Sequence, residues 1–104
     1  LVLFGGGNPT GVFGNAIVQT ATNGILNMNN AGDFVTVYNP NGEVVLTFDI
    51  DPLSNNPDES YSRYPDLNTE PDSDGNLFYQ HASIPDSGGT LFSPGTKVDG
   101  TNFN

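Results

Sequence analysis

Two runs of strand-forming residues separated by a four-residue turn signal constrain this chain more than any other feature. Asp33-Phe34-Val35-Thr36-Val37-Tyr38 and Glu43-Val44-Val45-Leu46-Thr47-Phe48-Asp49-Ile50 are rich in β-branched and aromatic residues, which suit a pleated, half-buried surface. Asn39-Pro40-Asn41-Gly42 lies between them. Pro40 pre-sets φ at the second turn position and Gly42 accepts the left-handed conformation at its end. The expectation is therefore a hairpin closed by a type I turn with a glycine bulge. Its predicted register sets Tyr38 opposite Val44, Val37 opposite Val45, Thr36 opposite Leu46 and Phe34 opposite Phe48. One face then carries Phe34, Thr36, Tyr38, Val44, Leu46, Phe48 and Ile50; the other carries Val35, Val37, Val45, Thr47 and Asp49. Apolar groups stand on both faces, so the hairpin needs a second sheet against at least one of them.

The rest of the chain reads as shorter strands cut apart by turns. Leu1-Val2-Leu3-Phe4 is expected as a buried strand that stops at Gly5-Gly6-Gly7-Asn8-Pro9, a run of turn residues. Ala16-Ile17-Val18-Gln19 and Gly24-Ile25-Leu26-Asn27-Met28 are further candidates. Short strands are also expected at Ser60-Tyr61-Ser62-Arg63-Tyr64 and Asn76-Leu77-Phe78-Tyr79-Gln80-His81. No window repeats apolar residues at helical spacing over three turns, which nearly excludes helix. Short strands with a turn every ten or so residues predict an all-β sandwich. The 104 residues suit one domain, 1–104, with no room for a second core.

Composition narrows the function classes. Hydrophobic residues make up 35% of the chain, against roughly 45–50% in ordinary domains, so the core is thin or completed from elsewhere. Twelve acidic residues face only Arg63 and Lys97, a formal net charge of −10. Such a chain repels phosphate backbones and anionic lipid surfaces, which argues against nucleic-acid binding and membrane insertion. No cysteine is present, which removes disulfides, thiolate metal sites and cysteine nucleophiles. The shortage of Lys beside abundant Asp, Asn and Thr points to an extracellular or cell-surface setting.

Leu3-Phe4-Gly5-Gly6-Gly7 with Pro9-Thr10-Gly11 and Phe13-Gly14 opens a series of familiar stretches. It continues through Leu26-Asn27-Met28-Asn29-Asn30-Ala31-Gly32-Asp33, Val35-Thr36-Val37 and Asn41-Gly42-Glu43-Val44-Val45. Glu59-Ser60-Tyr61-Ser62-Arg63 with Pro65-Asp66 and Phe92-Ser93-Pro94-Gly95-Thr96-Lys97 with Asp99-Gly100 complete it. In order and spacing the chain resembles the C-terminal two-thirds of a bacterial lamin tail domain. The resemblance implies an immunoglobulin-like β-sandwich and a non-catalytic accessory role, adhesive or structural, in an exported protein. The family's opening strands have no counterpart before Leu1, so upstream sequence or another chain is expected to supply them by strand exchange. The stretch from Asp66 to Leu77 is longer and more acidic than the family's pattern.

Candidate chemistry is sparse. His81 is the single histidine; Ser83 and Asp86 lie near it in sequence, but no nucleophile-elbow context accompanies them, and a strand-end histidine half in solvent is expected. Arg63, between two tyrosines, reads as a clamp for carboxylates or sugar hydroxyls. Its structural alternative is a guanidinium stacked on Tyr61 or Tyr64 and paired with Asp66 or Asp58. Phe34, Tyr38 and Phe48 on one hairpin face suit either a sugar-stacking platform or core covered by other strands. Asp72-Ser73-Asp74-Gly75-Asn76 resembles the opening of a Ca²⁺ loop, and Asp49 and Asp51 belong to a second acidic cluster. Calcium takes about six to eight oxygens, so neither group suffices alone, and a solvated acidic loop is the commoner outcome. The chain thus reads as a non-catalytic module for adhesion or assembly with a protein partner or with itself. A calcium-dependent carbohydrate- or surface-binding module is the alternative.

Overall fold

The computed structural model describes residues 1–29, 31–49, 57–70, 72 and 75–104, and of Phe48 and Asp49 only the backbone. The architecture is all-β and consists of short strands: β1 (Val2–Phe4), β2 (Val18–Thr20), β3 (Phe34–Tyr38), β4 (Val44–Asp49), β5 (Tyr61–Arg63) and β6 (Phe78–Gln80). Among the described residues helical geometry is confined to two 3₁₀ turns, His81–Ser83 and Pro85–Ser87. The strands pair two by two: β1 with β2 in parallel, β3 with β4 and β5 with β6 antiparallel.

The turn between β3 and β4 forms as its residues require. Gly42 N–H donates to Asn39 C=O at 2.9 Å, Asn39 N–H donates to Glu43 C=O at 2.8 Å, and Gly42 takes φ +82°. The Asn39 side chain locks the loop, accepting from the Asn41 and Glu43 amides and donating to the Glu43 carboxylate at 2.7 Å.

Beyond the turn the register departs from the expected one. Tyr38 opposes Val44 as predicted, but a bulge then leaves Val45 without a cross-strand partner, and every later pair slips by one. Val37 faces Leu46, Thr36 faces Thr47, Val35 faces Phe48 and Phe34 faces Asp49. Because side chains alternate with period two, one extra residue exchanges the faces. Phe48 therefore takes the backbone register of Val35 in place of the expected Phe34, and its side chain lies outside what the structure describes. Phe34 and Tyr38 are 65% and 61% exposed, so among the described residues they are not core.

Two other expectations are corrected. β1 forms, but Leu1 and Leu3 are exposed, so it is not a buried strand; its parallel partner β2 lies on the outside, every residue of it exposed. Residues 25–28 form no strand, and Ile25, Leu26 and Met28 lie exposed.

Burial is concentrated in the C-terminal part. Among the described residues the buried hydrophobic side chains are Ile84 and Val98. The N-terminal segment reaches this region at Gly14 and Gly95: a Cβ on either would collide with the other loop's backbone, Gly95 O or Phe13 O. Both have positive φ, +57° and +81°, so a side chain would be resisted on steric and conformational grounds alike. Phe4 and Phe13 meet edge to face at 5.3 Å and tie β1 to the same segment.

Candidate functional site

β5 and β6 build the best-defined polar site. Their pairing sets Ser62 opposite Tyr79, and His81 follows β6 directly, its N–H donating to Ser60 C=O at 2.9 Å. His81 is fully buried at 0% exposure, and its Nδ1 lies 2.7 Å from Ser62 Oγ. Its Nε2 is buried with no hydrogen-bond partner among the described residues. The expectation of a histidine half in solvent is overturned: the 3₁₀ turn that begins at His81 folds it inward. Ser83 and Asp86 serve other groups, Ser83 Oγ donating to Gln80 C=O and Asp86 accepting from Tyr64.

The same strand reaches outward through a chain of hydroxyls. Ser62 Oγ lies 3.5 Å from Ser60 Oγ, which donates to Leu91 C=O at 3.3 Å. The Glu59 carboxylate accepts from Ala82 N–H at 2.7 Å and holds the turn after β6. Tyr64 O–H donates to Asp86 at 2.6 Å. That hydrogen bond, with the nearby carboxylate charges, holds the Tyr64 phenol above its ordinary value. Asp99 is held below the usual carboxylate range, because the Thr101 hydroxyl and amide both donate to it.

Among the described residues Arg63 has neither the tyrosine stacking nor the Asp66 or Asp58 pairing expected of it in a structural role. Its guanidinium lies over the Phe78 ring at 6.0 Å and donates through Nη2 to the Glu70 carbonyl. Asp66 instead accepts the Val98 N–H, at 3.3 and 3.2 Å to its two oxygens. Pairing Tyr61 and Arg63 with Gln80 and Phe78 across β5 and β6 brings the guanidinium over Phe78 rather than onto a neighbouring tyrosine. Arg63 Nε is buried and has no partner among the described residues.

These groups border an open cleft of about 380 Å³ between β5 with the turn after it and the segment around Phe92 and Val98. Ser60, Ser62, Arg63 and Asp66 supply polar groups to its lining, and Phe92, Pro94, Val98 and Phe103 apolar ones. Arg63 also borders a second opening of about 410 Å³ beside Val45, Leu46 and Glu70. The chain matches no family model, no curated protein and no solved structure. The site is therefore read from its own geometry.

Of the sequence-predicted residues, Arg63 alone enters the cleft; Phe34 and Tyr38 stay on the hairpin, remote in sequence from it. The Asp72 carboxylate accepts the Asn76 and Leu77 amides, both at 2.8 Å, which makes it a loop-closing acceptor beside β6. Asn76 belongs to that loop through its amide. Asp51 and Asp74 lie outside the described residues, as does the Asp49 side chain. Among the described residues no three His, Cys, Asp or Glu side chains gather as a metal site. Sequence reasoning missed Ser62, Asp66, Phe92 and Phe103. The available signal was the pairing of the two short strands, which would have set Ser60 and Ser62 beside His81.

Proposed function

We propose that this chain is a non-catalytic interaction module of an exported protein. In this reading it is an immunoglobulin-like sandwich of the lamin-tail kind that assembles with another chain through its β3–β4 hairpin. One observation carries the proposal. Phe34, Tyr38, Val44, Val45 and Leu46 are all exposed on a ribbon that pairs with no third strand among the described residues. Such a ribbon is marginal by itself, and its open edges offer backbone donors and acceptors to an added strand. The thin composition supports the same reading, since completing the sheet from outside supplies apolar cover that 35% hydrophobic residues provide poorly. The buried imidazole of His81 supports a non-catalytic role, because it offers no solvent-facing base. No helix among the described residues is long and apolar enough to cross a membrane.

Amide exchange read across dilutions tests this. In dilute solution the β3 and β4 amides should exchange much faster than those of β5 and β6, and gain protection as the chain associates or is given its partner. Val44→Lys should abolish that gain while leaving β5 and β6 unchanged. A strict monomer whose hairpin is as protected as β5 and β6 would show a self-sufficient sheet and overturn the proposal.

A further inference from the structure

The cleft beside β5 has a chemistry that the assembly role does not use. Its polar lining holds one cation and one anion, Arg63 and Asp66, together with Ser60 and Ser62. These groups are held by fixed partners. His81 holds Ser62 at 2.7 Å, the Val98 amide holds Asp66, and the Glu70 carbonyl and Phe78 ring hold Arg63. Arg63 Nε, buried without a partner among the described residues, leaves the guanidinium with donor capacity that the fold does not take up. An unfilled buried donor calls for a water or a ligand group nearby. The lining also holds two phenyl rings, Phe92 at 64% and Phe103 at 43% exposure.

We propose that this cleft binds a neutral sugar, with Arg63 and Asp66 holding ring hydroxyls and Phe92 packing on the sugar's C–H face. An anionic ligand would meet the Asp66 carboxylate and a chain of net charge −10, while a cationic one would meet the guanidinium. A hydroxyl both donates and accepts, so a polyol satisfies Asp66 and Arg63 together without burying a net charge. Aromatic rings supply the apolar half of such sites. A volume of about 380 Å³ lies at the small end of the range for small-molecule pockets and suits about one or two sugar rings. No hairpin residue lines this cleft and no calcium is needed in it, so it stands apart from the assembly proposal.

The test is a titration of the isotope-labelled full chain with cellobiose, xylobiose, mannobiose and chitobiose, followed by amide chemical shifts. Glucuronate and glucosamine serve as the charged comparisons. At least one neutral disaccharide should give saturable shifts confined to residues 60–67 and 92–98. Phe92→Ala, a change at an exposed ring that spares the fold, should weaken binding by about tenfold, and Arg63→Lys by a similar factor. Val44→Lys, at an exposed hairpin position that borders neither opening, should leave binding unchanged, which separates a failure here from a failure of the assembly reading. The proposal is overturned if no neutral disaccharide moves those residues, if shifts map elsewhere, or if Phe92→Ala binds as the parent does. Tighter binding of glucuronate or glucosamine than of every neutral sugar overturns it equally.

Discussion

Ser62→Ala isolates the contact that organises the best-packed part of the molecule. Ser62 Oγ is the one hydrogen-bond partner of the His81 ring among the described residues, at 2.7 Å, and His81 is fully buried with its other nitrogen already unpartnered. Removing the hydroxyl leaves both ring nitrogens stranded, whichever of them carries the proton. A stranded buried polar group costs about 1–3 kcal/mol, a large share of the roughly 5–15 kcal/mol that holds a typical domain together. At about 4–8 °C per kcal/mol for a domain of this size, the melting midpoint should fall by roughly 5–20 °C. Ser62 borders the open cleft, so a water entering in place of Oγ would bring the loss to the low end. Urea unfolding followed by far-ultraviolet dichroism measures the change. His81→Leu combined with Ser62→Ala removes both partners, and replacing both by apolar groups is far milder than removing one. The double variant should therefore lose less than the sum of the two single changes, with a coupling of about 1 kcal/mol or more. A loss under about 0.5 kcal/mol for Ser62→Ala, or strict additivity in the double variant, would refute the reasoning.

Two further outcomes follow from the same structure. Ile84→Ala removes apolar volume from a buried position and should cost about 2–5 kcal/mol, whereas Val12→Ala, at an exposed residue, should stay within about 0.5 kcal/mol; equal effects in urea titrations would show that the core lies elsewhere. Tyr64 should ionise above its ordinary value of 10.0, so its bond to Asp86 is fully present below that pH and is lost as pH rises through the raised value. Phenolate absorbance should show Asp86→Asn shifting one tyrosine to lower pH, and an unchanged titration curve would refute the assignment.

Much of the local structure was legible in the residues themselves. Asn39, Pro40 and Gly42 dictate their turn because φ preferences and a neighbouring side chain act over a few residues, with no help from the rest of the fold. β-branched and aromatic runs likewise mark β3, β4, β5 and β6, and the lack of helical periodicity agrees with the short 3₁₀ turns that stand in place of longer helices among the described residues. Acidic surplus, a property of composition alone, sets the charge that any ligand must meet.

Tertiary structure decided the rest. The bulge at Val45 moves Phe48 to the register of Val35, and nothing in an alternating pattern announces one extra residue. His81 looks like a solvent-facing strand end until β5 closes over it and Ser62, nineteen residues away, becomes its partner. Asp66 and Val98 are thirty-two residues apart, and their contact forms one side of a cleft that neither residue suggests by itself. Sequence carries backbone preference because that preference is local. Burial, register beyond a bulge and the meeting of distant side chains depend on which segments the whole chain brings together.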